Sequence, residues 1–479
     1  MLLICVLMTI CYAVQVLFDV IRPHVPGEPV HPLIGWLGPD DDGWWQKASF
    51  WTFVVAIPVA ALISLIGWQE AHRRMHPAER DRVTRIWQAI ASGVLLLPYV
   101  YTTADVFAGN LRFAATCVPS AAYALWLAHR MQRFRRIPVR ILLAVFGWGA
   151  VIGVGFGDAM ETWWADYSPD YLALPLLGGG EQAIEKLTIE LYDGEILFAG
   201  VFEELGKGIA VAFVYLLLRR HIDNVVSGIV LGAAAGVGFN LVESTIYMGS
   251  LGGQTASEQY FLRQSLGMLA AHVAFTAAIG AGFGIARQLP DQRRRALAIA
   301  CGFATAMAGH FANDVFMSFY SRVKENWFSP SNATDILVYT PLAFAVLQGP
   351  LVVLYLVLLR RGLRDQAAAL AVELGTEAAT GFGAVTQWEV PVLLRPARRF
   401  YLCLTALRQG GLVGYRDLRR LFAAQLDLGM ARWHRTRGEI VPGSDDEQSL
   451  RRRIAQLRYQ IDQRTAMRAA PAQPFGVIS

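Results

Sequence analysis

The fold is decided by the stretch from Ile196 to Leu218, which reads ILFAGVFEELGKGIAVAFVYLLL. It is long and apolar enough to cross a bilayer as a helix, which takes about 20 residues. Yet it contains Glu203, Glu204 and Lys207. A charged side chain at the centre of a bilayer costs roughly 2.5–3.5 kcal/mol. A membrane helix that retains three such residues is expected to use them.

The whole chain has the composition of a membrane protein. Of its 479 residues, 54% are hydrophobic and only 17% are charged, whereas soluble domains carry about 25% charged residues. Apolar runs of near-spanning length recur at 2–20, 51–68, 86–106, 111–129, 139–158, 196–218, 225–248, 264–286, 296–319 and 339–359. We therefore predict an all-α fold, a polytopic membrane helical bundle of about ten transmembrane helices with a small helical cytosolic C-terminal region. The first run is predicted to be a retained span and not a cleaved signal peptide.

Arginines mark every second loop between these predicted spans. They cluster within residues 73–85, 130–140, 219–220, 287–295 and 360–364. Basic loops stay preferentially on the cytoplasmic side of a membrane. The pattern predicts a multi-pass protein of the cell membrane, the bacterial inner membrane, with both termini in the cytoplasm.

The predicted domain division follows the spans. It comprises N-terminal transmembrane helices and outer loops (1–195), a four-helix catalytic core (196–320), the last transmembrane helix (321–364) and a cytosolic helical tail (365–479). Apolar stripes at helical spacing predict two amphipathic helices in the tail, one through Leu421 and Leu426 and one through Leu450 and Ile454. These helices are expected to pack on each other, and docking to a cytosolic partner or to anionic lipid is the alternative. We find no nucleic-acid-binding motif and predict no nucleic-acid partner.

Ionisable residues inside the spans concentrate in four consecutive predicted helices. They are Glu203, Glu204 and Lys207 in the sixth span, Glu243 in the seventh, His272 in the eighth, and His310 and Asp314 in the ninth. At 1.5 Å per residue, five of these positions fall one to two turns from the outer ends of their spans, namely Glu203, Glu243, His272, His310 and Asp314. Independent packing choices would not agree on depth in this way, so we predict one shared polar cavity in the outer half of the membrane. Asp158, near the outer end of the fifth span, is interpreted as an interfacial residue.

Spacing and charge indicate what this cavity does. Glu203 and Lys207 are four residues apart on one helical face, as are His310 and Asp314. The carboxylates outnumber the lysine, so protons must be shared or a cation must bind. A carboxylate beside water can act as a general base. No cofactor is required in this interpretation. If a metal binds instead, zinc is the candidate, with Glu203, Glu243, His272 and His310 as ligands, although an HExxH motif is absent.

Four short motifs stand in order on these four spans. They are EExxK at Glu203–Lys207, FxxxE at Phe239–Glu243, a histidine at His272, and HxxxD at His310–Asp314. The order resembles the PrsW-type intramembrane proteases, relatives of the CAAX prenyl endopeptidases in a broader clan of glutamate-dependent membrane proteases. The resemblance covers about residues 196–320. It implies catalytic roles for Glu203, Glu204, Glu243, His272 and His310, with Lys207, Asp314, Asn240 and Phe239 in support.

The resemblance further implies peptide-bond hydrolysis inside the membrane. The expected substrate is a single-pass protein such as an anti-sigma factor, cleaved near its outer side. Our mechanistic hypothesis is that Glu203 activates water and Glu243 shares its proton, while His272 and His310 stabilise the oxyanion. Asp314 would fix the tautomer of His310.

Two other functions remain open at this point. Intramembrane acids also serve proton relays, so a proton- or cation-coupled transporter is the main alternative. A membrane receptor that signals through its tail is the third, and it would require a cytosolic partner for residues 365–479.

Overall fold

The computed structural model describes residues 1–21, 44–74, 76–161, 180–251, 253–323, 332–438 and 446–469. Every regular element in these ranges is helical. The helices are α1 (Leu2–Ile21), α2 (Trp44–His72), α3 (Pro77–Leu96), α4 (Val100–Met131), α5 (Val139–Trp148), α6 (Gly180–Leu217), α7 (Val225–Leu251), α8 (Gly253–Tyr260), α9 (Ala271–Gln288), α10 (Gln292–Val323), α11 (Thr340–Ala379), α12 (Pro396–Thr436) and α13 (Glu447–Ala469). Short helical turns also occur at Leu97–Tyr99, Arg219–His221, Gly267–Leu269, Asn332–Thr334 and Val390–Leu393, with π-helical turns at Gly149–Gly153, Phe261–Leu266 and Asp335–Tyr339.

Seven helical segments in the described residues are long and apolar enough to cross a membrane. The chain is therefore a multi-pass membrane protein, but the predicted count of about ten spans is not confirmed. Three features account for the difference. The described apolar part of α1 is too short, the apolar part of α6 (196–217) carries three charged residues, and the predicted spans 86–106 and 111–129 fall in one continuous segment, Pro77–Met131. That segment has a 3₁₀ turn at Leu97–Tyr99 and non-helical dihedral angles at Asn110.

Helix α7 forms the centre of the bundle and is buried along its apolar length. It packs against α4, α5, α6 and α9. The contact with α9 is close because both helices present glycines. A Cβ atom added to Gly228 would lie 2.0 Å from the carbonyl oxygen of Gly280, and one added to Gly280 would lie 2.0 Å from that of Gly228. Small residues at such crossings let membrane helices approach backbone to backbone.

The C-terminal helices form a small core of their own. Leu421 and Leu428 of α12 pack with Leu450, Ile454 and Leu457 of α13. This agrees with the predicted mutual packing of the two amphipathic stripes. The predicted boundary between residues 364 and 365 lies inside α11, which continues without a break to Ala379. The bundle and the tail are therefore joined by a shared helix and not by a linker.

Candidate active site

Helix α6 places two carboxylates around one buried ammonium group. Lys207 Nζ lies 2.9 Å from Glu203 Oε2 and 2.6 Å from Glu204 Oε1. It also lies 3.2 Å from His272 Nδ1 and 3.8 Å from the ring centroid of Phe239. Lys207 and Glu204 are fully buried, and Glu203 is nearly so. The predicted pairing of Glu203 with Lys207 is present. Glu204, which the helical spacing turns away from Glu203, reaches the same ammonium group from the other side.

The two histidines meet at Glu203. Oε2 of Glu203 lies 3.8 Å from His272 Nδ1 and 3.7 Å from His310 Nε2. The imidazole rings are nearly perpendicular, with centroids 5.0 Å apart. His272 is the second residue of α9, and it follows Ala271, whose φ of +42° lies in the left-handed region that non-glycine residues rarely adopt. This local backbone strain sits beside the cluster, where such strain is commonly found in functional sites.

Each imidazole turns its other nitrogen toward a second carboxylate. His272 Nε2 lies 2.5 Å from Glu243 Oε2, and His310 Nδ1 lies 3.3 Å from Glu204 Oε1. Asp314 Oδ2 lies 3.4 Å from Nε2 of His310, the nitrogen that also faces Glu203. Nδ1 of His310 thus faces Glu204, whereas Asp314 faces the opposite nitrogen, Nε2.

Arg263 is a member of the site that the sequence did not single out. Its Nη1 atom donates to Glu243 Oε2 at 2.7 Å, and its guanidinium lies over the ring of Tyr247. Asn240 donates to the backbone carbonyl oxygen of Arg263. The predicted eighth span began at residue 264, which left Arg263 in a loop. The signal that could have found it is Glu243, a buried acid with no cation on its own helix.

These side chains line a cavity of about 860 Å³. It lies at the end of the bundle opposite the arginine-rich loops, because His272 begins α9 whereas Arg287 is near its end. Asp158 and Glu161 also line it. The interfacial interpretation of Asp158 is therefore replaced by a place in the cavity wall, where Thr102 donates to its carboxylate. Glu161 Oε1 is buried and has no hydrogen-bond partner among the described residues.

Acidic groups outnumber basic ones around this cavity. Asp158, Glu161, Glu203, Glu243 and Asp314 line it, with Glu204 directly behind, and the fixed positive charges beside them are those of Lys207 and Arg263. A low-dielectric pocket does not hold such an excess of negative charge without protons or a bound cation.

The comparisons with known proteins agree with this constellation. A family model described as the PrsW family intramembrane metalloprotease matches residues 137–352. This region is a PrsW-family domain. The match includes α5 and the residues after it, Asp158 and Glu161 among them, which the resemblance over residues 196–320 left out. Neither a curated protein nor a solved structure matches the chain.

The PrsW-family description implies a metal, and the side chains present fit one. One ligand atom each from Glu203, His272 and His310 lies within 4.8 Å of the other two. Two imidazoles and one carboxylate, with a further position open, are a donor set of catalytic zinc sites. The carboxylates behind both imidazoles supply the outer contacts that orient metal-binding histidines. Glu243, proposed from the sequence as a fourth ligand, instead contacts Arg263 and His272. The Lys207 ammonium shares Glu203 Oε2 and His272 Nδ1, so it competes with a metal for these atoms.

Proposed function

We propose that this PrsW-family domain is an endopeptidase that cleaves membrane proteins inside the bilayer, near the face opposite the arginine-rich loops. The observation that carries the proposal is the convergence of Glu203, His272 and His310, with ligand atoms within 4.8 Å of one another, in a polar cavity of a region that matches a protease family. The family supports a hydrolase acting on a membrane protein. A single-pass substrate such as an anti-sigma factor, cleaved on its outer side, is our finer proposal.

The cavity meets a requirement of intramembrane proteolysis. A peptide bond becomes accessible only when its helix unwinds, and unpaired backbone groups are costly in hydrocarbon. Polar side chains such as Asn240, Asn313 and Asp314 line the cavity and can pair with an unwound backbone. The same cavity admits the water that hydrolysis consumes.

The chain's own groups supply the proton transfers. In our proposal Glu203 Oε2 accepts the proton of the attacking water and passes it to the leaving amine as the C–N bond breaks, while protonated nitrogens of His272 and His310 donate hydrogen bonds to the oxyanion. Glu243 and Glu204 hold the two imidazoles in place through their other nitrogens. A zinc ion held by Glu203, His272 and His310 would polarise the scissile carbonyl and activate the water. With such an ion bound, Glu203 would be a ligand, and Glu161, which lines the same cavity and has no hydrogen-bond partner for Oε1 among the described residues, would accept the proton of the water.

The proposal is tested by comparing protein termini in cells. Membrane-protein N-termini are identified by mass spectrometry in cells that express the wild type, Glu203→Gln or the exposed control Glu79→Gln. We expect new termini with the wild type and the control only, mapping to the outer half of single spans. Identical termini in all three strains under several stresses would contradict a protease. Proton or cation flux in vesicles would then favour the transporter.

A further inference from the structure

A second cavity lies at the arginine-rich end of the bundle, away from the candidate active site. It has a volume of about 440 Å³ and lies between α5 and the C-terminal half of α6. Its walls are apolar, formed by side chains such as Val145 and Val214. Ala144, Leu217 and Leu218 are exposed along it, so it opens on the lateral surface of the bundle. An exposed apolar groove at this position faces the hydrocarbon of the membrane.

One end of this groove is basic. Arg140 and Arg220 line it there, together with His221, and no acidic residue lines it in the described part of the chain. Arg140 is exposed, and Arg220 Nε donates to His221 Nε2 at 3.2 Å. Burial, together with Arg135 and Arg220, lowers the pKa of His221 to about 4. His221 is therefore neutral at pH 7, and the positive charge of this end belongs to the arginines.

The other end of the groove is closed by two aromatic side chains. Trp148 and Phe213 meet edge to face, with ring centroids 5.0 Å apart. Arg140 and Trp148 are eight residues apart on α5, so the groove is about 12 Å long. An apolar slot of this length, open to the bilayer and basic at its interfacial end, has the shape and charge of a lipid site. Basic pockets between transmembrane helices bind anionic headgroups.

We propose that this groove binds one anionic phospholipid of the leaflet that faces the arginine-rich loops. An acyl chain lies against Val145 and Val214, and the phosphate contacts Arg140 and Arg220. The groove is also connected to the candidate active site by a hydrogen bond. Trp148 Nε1 donates to the carbonyl oxygen of Gly206, the residue before Lys207. A lipid in the groove therefore packs against the tryptophan that is hydrogen-bonded to α6 between Glu204 and Lys207.

The test measures lipid retention by the purified full chain. Delipidated protein in detergent is titrated with dioleoylphosphatidylglycerol or dioleoylphosphatidylcholine, and bound lipid is counted by native mass spectrometry. The variants are Arg140→Gln, which removes a headgroup contact, and Ala144→Phe, which fills the groove and keeps its charge. Arg293→Gln is the matched control, because Arg293 is exposed at the same end of the bundle but outside the groove. Both groove positions are exposed, so the variants are expected to fold, and melting temperatures check this.

We expect one tightly held phosphatidylglycerol and no tightly held phosphatidylcholine in the wild type. Arg140→Gln should weaken phosphatidylglycerol binding about fivefold, the effect of one arginine near a lipid surface. Ala144→Phe should abolish the tight binding, and Arg293→Gln should leave it unchanged. Equal retention of both lipids would overturn the proposal. So would wild-type affinity in Ala144→Phe, or an equal loss in Arg140→Gln and Arg293→Gln, which would indicate diffuse attraction to the whole basic surface.

Discussion

Lys207 sets the electrostatics of the candidate active site at the scale of single residues. Its ammonium group contacts Glu203 and Glu204, one imidazole and one aromatic face, and none of it is exposed. A buried charge persists only when it is paired in this way, because breaking a buried pair costs about 3–5 kcal/mol. The lysine thereby allows Glu203 and Glu204 to stand side by side in the interior of the bundle.

Replacement of Glu243 by glutamine is predicted to weaken metal binding without removing a ligand. Glu243 lies behind His272, and loss of such an outer carboxylate typically costs 10- to 100-fold in metal affinity. Zinc affinity of the purified protein, measured by competition with a chelating dye, checks this. His272→Ala should lower the zinc affinity further, and the exposed control Glu79→Gln should have the zinc affinity of the wild type. An unchanged zinc affinity in Glu243→Gln would show that Glu243 does not support metal binding.

The sequence anticipated the members of this cluster that lie at helical spacing or share a depth. Glu203 and Lys207 were paired because they are four residues apart. Glu243, His272 and His310 were identified because they share a predicted depth in the membrane. Arg263 and Glu161 were missed because a partner on another helix has no fixed spacing along the chain. The directions of the side chains could also not be predicted from the sequence. Asp314 and His310 lie one turn apart on α10, but which imidazole nitrogen the carboxylate faces depends on rotamers, which spacing does not determine.

At the scale of helices, the close crossing of α7 and α9 holds the cavity walls together. His272 on α9 and Glu243 on α7 are in contact across this pair, and Gly228 and Gly280 allow the backbones to approach. Which glycines meet could not be predicted from the sequence, because a contact between two helices has no fixed spacing along the chain. Helix ends were predicted less well, because α3 and α4 join through a single 3₁₀ turn that leaves no polar loop to mark it.

Gly280→Ala is predicted to destabilise the bundle, whereas Gly375→Ala is not. The new methyl group at position 280 would clash with the Gly228 carbonyl oxygen, and overpacking of this kind costs typically about 1–3 kcal/mol. A Cβ atom at position 375 in α11 meets nothing within 4 Å, and alanine there should add up to about 1 kcal/mol of helix stability. Melting temperatures in detergent compare the two variants. Equal effects would argue against the close crossing.

At the scale of the whole molecule, the C-terminal helices dock on the arginine-rich end of the bundle. Asp223, between α6 and α7, lies 2.8 Å from His434 of α12 and 2.9 Å from Arg135. Burial alone would raise the pKa of Asp223, but Arg135 and His434 outweigh it and lower this pKa to about 2. The sequence predicted that the two tail helices pack together. It did not predict this junction, whose partners are more than 200 residues apart in sequence.

The Asp223 junction is predicted to stabilise the docked tail in a pH-dependent way. An unfolded aspartate has a pKa near 3.9, so the depressed native value contributes about 2–3 kcal/mol above pH 4. This contribution is lost as pH falls from about 4 to about 2. Asp223→Asn should therefore lower the melting temperature at pH 7, and the difference from the wild type should shrink over that pH range. The exposed control Asp365→Asn should show no such trend, and an identical trend would contradict the junction.

The alternating arginines predict the orientation of the whole chain. In a cysteine-free background, Ala333→Cys at the arginine-poor end should react with a membrane-impermeant maleimide in intact cells. Arg74→Cys in an arginine-rich loop should react only after permeabilisation. The reverse pattern would invert the predicted topology and place the candidate active site near the cytoplasm.

The central claim is that the cluster of Glu203, His272 and His310 hydrolyses peptide bonds inside the membrane. The most direct measurement uses the substrate found by the comparison of termini, reconstituted in proteoliposomes with purified wild type, Glu203→Gln or Glu79→Gln. We predict cleavage at the same bond by the wild type and the control. Glu203→Gln should be at least about a hundredfold slower, as expected when a group that activates water is removed. A well-folded Glu203→Gln protein that cleaves at the wild-type rate would contradict the account.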